Sequence, residues 1–403
     1  MTSETATTRL DRELTLDLDA LRTAGAYKRF HTLTSPHGPI VEMAGHGPVL
    51  ILSSNNYLGL ADREEVIDAG IEGLRRYGAG TASVRFICGT FEPHLELEAE
   101  LAAFVGTEAA LTYGSCWNAN AAAIQTLSTE STAILSDELN HASIIDAIRL
   151  ARAERKVVYP HASPDGLRAE LEACAPEQRK LIVTDGVFSM EGDLAPLPEI
   201  VALAREHEAI VIVDDSHGTG VVGATGRGIA EHCGLLGEVD VITSTLGKAL
   251  GGASGGFVAA SRAVIETLAQ RSRPQLFSNA LPATIACSAR EALAVLRREP
   301  GLVDRLRENT RAFRATLLAD GFQPVPGEAA IIPILVGETD FASRFSERLL
   351  EEGVFVTGFG YPVVPEGAAR MRVQMSSALA GEHLERARTA LVEVGRELGI
   401  IGV

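Results

Sequence analysis

Short apolar runs alternate along the chain with longer stretches in which apolar residues recur every three or four positions, most regularly through its middle. The segments 109–113 (AALTY), 133–136 (AILS), 156–159 (KVVY), 181–184 (LIVT), 210–214 (IVIVD), 241–244 (VITS) and 256–259 (GFVA) read as strands, with helical patterns between most of them. Runs such as LIVTD and VIVD lack polar alternation, so they fit strands buried on both faces of a mostly parallel sheet. Beyond about Pro282 the rhythm changes. Helical spacing over 285–298 and 304–320 gives way to strand-like runs at 331–336 and 370–374, the pattern of a smaller α+β domain. Ahead of the sheet, Leu10, Leu14, Leu16, Leu18 and Leu21 predict an imperfect helical arm over 10–27. The expected division is an N-terminal arm and short segment (1–56), a large α/β domain (57–285) and a small C-terminal domain (286–403), closely packed without a low-complexity linker.

Composition narrows the classes. With 403 residues, 46% hydrophobic and 22% charged, the chain has ordinary globular values and ample length for a sizeable core. Its 39 glycines suit tight strand-to-helix turns where backbone approaches a ligand. A net charge of −17 opposes nucleic acid and anionic membranes, so neither is expected as a partner. An anionic ligand would need positive charge concentrated in a few residues. The five cysteines are odd in number and lack CxxC or zinc-like spacing; they read as reduced thiols, and no metal is expected. No apolar run reaches the roughly 18 to 20 residues of a membrane span. The start MTSETATTRLDREL lacks the basic and apolar regions of a signal peptide, so a cytoplasmic location is expected.

Candidate chemistry centres on 241-VITSTLGKALGGASGG-256, where a buried strand ends in hydroxyls and a lysine. Small neighbours (Gly247, Ala249, Gly251, Gly252) leave Lys248 room for a flat ligand, and partial burial would lower its pKa towards that of a nucleophile or base. In 211-VIVDDSHGTG-220 a second strand ends in Asp214, with His217 just beyond, at the end of an open α/β sheet where ligands bind. A carboxylate there can pair with a protonated ring nitrogen, as pyridoxal phosphate (PLP) requires to act as an electron sink. A surface lysine in a glycine-rich turn and a helix-capping aspartate are the plain alternatives to each residue alone; together they favour the cofactor.

Three common motifs fail on context. Gly218, Gly220 and Gly223 spell GxGxxG after a strand, but acidic residues precede them, no helix begins among them, and Asp240 opens a strand instead of ending one, which argues against an NAD-dependent dehydrogenase. Gly252, Ser254 and Gly256 match GxSxG, yet only His383 follows to complete a Ser–acid–His order. LGK lacks the first glycine of a P-loop, and Ala249 replaces its hydroxyl.

Nearly end to end, the chain resembles the α-oxoamine synthases, fold-type I PLP-dependent transferases (aminotransferase-like) that join an amino acid to an acyl-CoA. The resemblance is carried by SSNNYLGLA (53–61), ASVRFICGT (82–90), SDELNHASIIDAIRL (136–150), TDGVFSMEGDLAPL (184–197), VDDSHGTGVVG (213–223), TSTLGKALGGASGGF (243–257) and GFGYPVVPEGAARMRVQMS (358–376). ASVRFICGT and QRSRPQLFSNALP are most similar to the branch that joins glycine to acetyl-CoA reversibly, in threonine breakdown. A relative using another amino acid or acyl-CoA in a specialised pathway is the alternative. A PLP-fold regulator would need a DNA-binding helix-turn-helix ahead of the cofactor domain, for which the N-terminal stretch is too short and too acidic.

The resemblance implies that Lys248 binds the cofactor covalently and later serves as the base, that Asp214 pairs with the pyridine nitrogen, and that His141 stacks on the ring. His217 and Ser189 would contact the ring hydroxyl. The phosphate would lie at the turn 114–120 with Cys116 and Trp117, the tryptophan standing where a smaller aromatic is expected, and with Thr245. Ser278 and Asn279 would reach the phosphate of the partner subunit in a homodimer with shared sites. Arg372 would grip the substrate carboxylate, and Asn55 belongs to the same substrate site. The basic stretch Arg149, Arg152, Arg155 and Lys156 reads first as a solvated helix face and second as a contact for coenzyme A.

Overall fold

The structure, a computed structural model, describes residues 5–402. Residues 1–4, at the beginning of the stretch MTSETATTRLDREL, lie outside the described residues. Helix α1 (Ala6–Thr23) is capped by Thr5, whose side chain accepts a hydrogen bond from the Thr8 N–H, and it stops before Gly25 at φ 66°. It begins and ends four residues earlier than its leucine spacing suggests. All five arm leucines are exposed, from 40% to 64%.

Strands β1 (Ile40–Met43) and β2 (Gly47–Ile51) form a hairpin that the apolar pattern does not mark. Helices α2 (Glu64–Tyr77) and α3 (Glu92–Val105) follow and pack against the later helix Ala283–Arg298. The main sheet then assembles from β3 (Ala109–Tyr113), β4 (Thr132–Asp137), β5 (Arg155–Tyr159), β6 (Arg179–Asp185), β7 (Ala209–Asp214), β8 (Val241–Thr245) and β9 (Gly256–Ala260). Its order is β3-β9-β8-β7-β6-β4-β5, with β9 antiparallel to both neighbours and the remaining pairs parallel. The expected mostly parallel α/β sheet is therefore present. Ile182, Val211, Val213, Phe257 and Ala259 enter one core cluster while Leu181, Val183, Ile212 and Val258 enter another. That two-residue alternation between two apolar layers is why these strands carry no polar face.

Strands β10 (Ile331–Gly337), β11 (Val354–Phe355), β12 (Thr357–Phe359) and β13 (Ala369–Gln374) complete the fold. The order β10-β13-β12 makes a three-stranded antiparallel sheet, and β11 pairs in parallel with β2. The helices predicted at 285–298 and 304–320 are Ala283–Arg298 and Gly301–Ala319. Among the described residues no helix is long and apolar enough to cross a membrane, and no group of acidic, histidine or cysteine residues could hold a metal ion.

Candidate active site

The C-terminal ends of β6, β7 and β8 place Asp185, Asp214 and Thr245 along one edge of the main sheet, and Asp185 and Asp214 are register partners. Lys248 follows β8 in a bend, half-buried, with Nζ 2.8 Å from His217 Nε2. Burial lowers its pKa to about 8, against the pull of the Asp214 carboxylate, which favours the charged amine. His217 is itself buried, and its other nitrogen, Nδ1, lies 2.8 Å from Tyr57 Oη. Burial, reinforced by the nearby charges of Lys248 and Arg372, holds this imidazole well below its usual range, so the ring is neutral.

Asp214 accepts hydrogen bonds from the Ser216 N–H (2.9 Å) and from Asn120 Nδ2 (2.6 Å). The Asn120 amide is fully used, since Nδ2 also donates to Ser143 Oγ and Oδ1 accepts from Thr243 Oγ1. Beside it, burial and then the charge of Asp214 push the Asp185 carboxyl well above the usual range. The His141 N–H donates to Asp185 Oδ2 (3.0 Å), and the ring, at the start of α5 (Ala142–Leu150), binds Ser143 Oγ through Nδ1 (2.8 Å). Trp117 meets that ring edge-on at 6.1 Å between centroids.

Between β3 and β4, helix α4 (Cys116–Leu127) starts at the Ser115 cap, which accepts from the Asn118 N–H. The first N–H groups of a helix have no intrahelical acceptor and attract an anion. Gly256 allows this turn to sit against β9, because a Cβ there would lie 2.3 Å from the Cys116 nitrogen. Cys116 Sγ lies 3.7 Å from Asp214, and burial raises its pKa well above normal, so it is an inert thiol. Thr245 Oγ1 accepts from the Gly247 N–H and donates to Gly255 O, which shapes the loop carrying Lys248.

Arg372, on β13, is only 7% exposed, and its Nε and Nη2 have no hydrogen-bond partner. Its guanidinium carbon lies 5.6 Å from the centroid of the Phe359 ring, and burial lowers its pKa despite the favourable neighbour Tyr57. Asn55 Oδ1 and Tyr57 Oη both accept from Gln374 Nε2, at 2.6 and 3.0 Å. Strand β13 is thereby tied through Tyr57 and His217 to Lys248.

Most of the expected residues converge here: Lys248, His217, Asp214, His141, Cys116, Trp117 and Thr245 form one group, joined by Asn55 and Arg372 from the other side. Ser189 sits half-buried in the turn after β6. Ser278 and Asn279 are exposed beyond the short helix Arg273–Phe277, next to Phe277, itself 73% exposed. In the basic stretch Arg149 pairs with Asp146 and Arg155 with Glu170, while Lys156 donates to Arg149 O. The glycines of GxGxxG are packed against the protein's own side chains, since a Cβ on Gly218 would lie 1.9 Å from Asp215 Oδ1, one on Gly220 2.6 Å from Ala249 Cβ and one on Gly223 2.4 Å from Glu231 Oε2. Ser254 donates to Gly114 O while His383 caps the helix Gly381–Glu397 by accepting from the Ala380 N–H, so the GxSxG match has no triad. Sequence reasoning missed Asn120, Tyr57, Asp185 and Gln374. All four lie within the quoted segments, but nothing in those segments distinguishes them from ordinary polar positions.

The donor set fits PLP. It offers a half-buried lysine of lowered pKa, a carboxylate fixed by two donors for the ring nitrogen, an imidazole for the ring face and a helix start for the phosphate. Residues 47–391 match the family described as Aminotransferase class I and II. The chain belongs to this family. It is 46% identical over 396 residues, 97% of this chain and 98% of its relative, to the 2-amino-3-ketobutyrate coenzyme A ligase of Salmonella typhimurium. Identity is also 46%, across 96% of this chain and 98% of that protein, with the 8-amino-7-oxononanoate synthase of Symbiobacterium thermophilum. Among solved structures, a serine palmitoyltransferase variant from S. paucimobilis with a bound PLP–myriocin aldimine superposes with a TM-score of 0.92 at 30% identity, covering 99% of this chain and 100% of the other. This fold-type I architecture agrees with the one expected from the resemblance.

Proposed function

We propose that the chain is a PLP-dependent acyltransferase that joins glycine to acetyl-CoA, giving 2-amino-3-ketobutyrate and CoA, and that also runs in reverse during threonine breakdown. The observation that carries the amino-acid part is Arg372, a buried cation with two idle donors whose charge is felt by Lys248 and His217. A substrate carboxylate is the partner such a planar fork lacks. Glycine and acetyl-CoA are favoured by the 2-amino-3-ketobutyrate ligase relatives and by ASVRFICGT and QRSRPQLFSNALP in the sequence.

Lys248 would hold the cofactor, Asp214 its ring nitrogen, His141 its face, His217 and Ser189 its ring hydroxyl, and the α4 start with Cys116, Trp117 and Thr245 its phosphate. When bound, PLP supplies a sink for the electron pair left at the substrate Cα. Arg372 and Asn55 orient the amino acid so that one Cα–H faces Lys248, whose amine takes that proton. The Cα–C bond to the acetyl carbon then forms as the C–S bond breaks, and the departing thiolate takes up a proton. With a pKa of about 8, Lys248 is a competent base near neutrality.

The enzyme works as a homodimer, with Ser278 and Asn279 serving the partner's phosphate; their exposure beside Phe277 and the five exposed leucines of α1 support this. Its parts are the arm (1–56), the large domain (57–285) and the small domain (286–403). The five free cysteines favour the cytoplasm. A panel of amino acids and acyl-CoAs assayed for CoA release is the direct test: glycine with acetyl-CoA should give the highest kcat/KM. A clear preference for alanine with a long acyl chain would replace this reading with that of an oxononanoate-type synthase.

A further inference from the structure

The turn after β5 presents a histidine that this chemistry does not use. His161 lies with Nδ1 2.9 Å from Asp137 Oδ1 and Nε2 2.9 Å from Asp193 Oδ2. A neutral imidazole carries one N–H, so two carboxylate acceptors call for the imidazolium. Burial favours the neutral ring, but the bonds to Asp137 and Asp193 outweigh it and push its pKa up to about 10. Phe188 packs edge-on against the ring at 4.4 Å. At the end of β4, Asp137 is fixed further by the N–H groups of Leu139 (2.9 Å) and Ala162 (2.8 Å). Ala162 is held at φ 47°, a left-handed backbone that alanine rarely adopts.

Asp193 belongs to the loop 186–195, closed on itself by Phe188 N–H to Asp193 O, Gly192 N–H to Phe188 O and Ala195 N–H to Gly186 O. The loop's far end meets the small sheet. Arg370 Nη1 donates to Glu191 Oε1 (2.9 Å) and Met190 O (3.1 Å), and a Cβ on Gly192 would lie 2.6 Å from Ile331 O. Arg370 is two residues before Arg372, on the same face of β13. One loop therefore links the main sheet, through His161, to the strand that presents Arg372.

We propose that protonated His161 is a positioning residue: it fixes loop 186–195 and, through Arg370, sets where Arg372 stands relative to Lys248. The inference rests on reading Arg372 as the substrate-carboxylate site. The test compares wild-type holoenzyme with His161→Gln, Arg370→Gln and the double variant, by substrate kinetics and by hydrogen–deuterium exchange of 186–195. Each single change should raise the glycine KM about tenfold, leave kcat and the acetyl-CoA KM within about twofold, and speed exchange at Phe188, Gly192 and Ala195. The double variant should be no worse than either single, because cutting either end frees the same loop. An unchanged glycine KM in His161→Gln, or effects that multiply in the double variant, would overturn the proposal. Should His161→Gln not fold, Asp193→Asn keeps the shape and must move the glycine KM and the exchange in the same direction; wild-type values would count against the clasp. A wild type that does not use glycine would sink the functional reading instead, and the exchange data would still decide whether His161 and Arg370 hold one loop.

Discussion

Two arginines share one face of β13, and their surroundings separate their tasks. Arg370 spends its charge on Glu191, whereas Arg372 keeps two buried donors idle. Arg372→Ala should retain PLP but weaken glycine binding by about 2–4 kcal/mol, or about 30- to 1000-fold, as a charge-assisted bidentate contact out of water is lost. Arg372→Lys should rescue little, since it restores charge without the planar fork. A glycine titration followed by the absorbance of the bound cofactor checks both, and saturation of Arg372→Ala at the wild-type concentration would place the carboxylate elsewhere. Lys248 and Asp214 were legible as a pair, a lysine in a small-residue turn and a carboxylate at a strand end, whereas Asp185 closes an equally apolar strand and had no such partner in the sequence to mark it. Asn120, Tyr57 and Gln374 were not legible either, because an amide or phenol in a helix, turn or strand looks alike whether it faces water or a buried partner. Only the fold brings Asn120 within 2.6 Å of Asp214 across 94 residues of chain.

At the scale of elements, strands such as β6, β7 and β9 stood out because burial on both faces leaves their middles apolar. Strands β1, β11 and β12 escaped notice because two to four residues show no period, and β2 because it opens on Gly47 and Pro48. The arm helix was placed four residues late because leucine spacing marks its apolar side, while its start is set by the Thr5 cap. The junction of β9 with α4 is the element contact with least room. Gly256→Ala would set a methyl 2.3 Å from the Cys116 nitrogen and 2.5 Å from its Cα, both backbone atoms that cannot swing aside. The expected cost is about 1–3 kcal/mol of stability. The displaced α4 start should also release PLP more readily. Thermal melts with and without added PLP would measure both, and an unperturbed melt with full cofactor retention would argue that the turn is softer than its spacing implies.

For the whole molecule, the proposed sharing of sites between subunits predicts complementation between damaged subunits. Mixing Lys248→Ala with a Ser278→Ala/Asn279→Ala double variant should yield hybrid dimers with one intact and one doubly damaged site, and activity should partly return. No recovery despite verified subunit exchange would mean that each site is built within one chain. The small sheet β1-β2-β11 bears on how the chain reaches its fold at all. Strand β2 lies in its middle, with Leu50 paired to Ile40 on one side and to Val354 on the other. During synthesis, the residues of the main sheet emerge together and can pair while later ones are still being added. Residues 49–51 must instead wait, with an open apolar edge, until some 300 further residues have been made, the kind of distant pairing that slows folding and invites wrong partners. A nascent chain that stalls before Val354 would carry β2 sealed on one side only, besides lacking Met371, Val373 and Leu391 from the core, and both exposed surfaces are where chaperones would be needed.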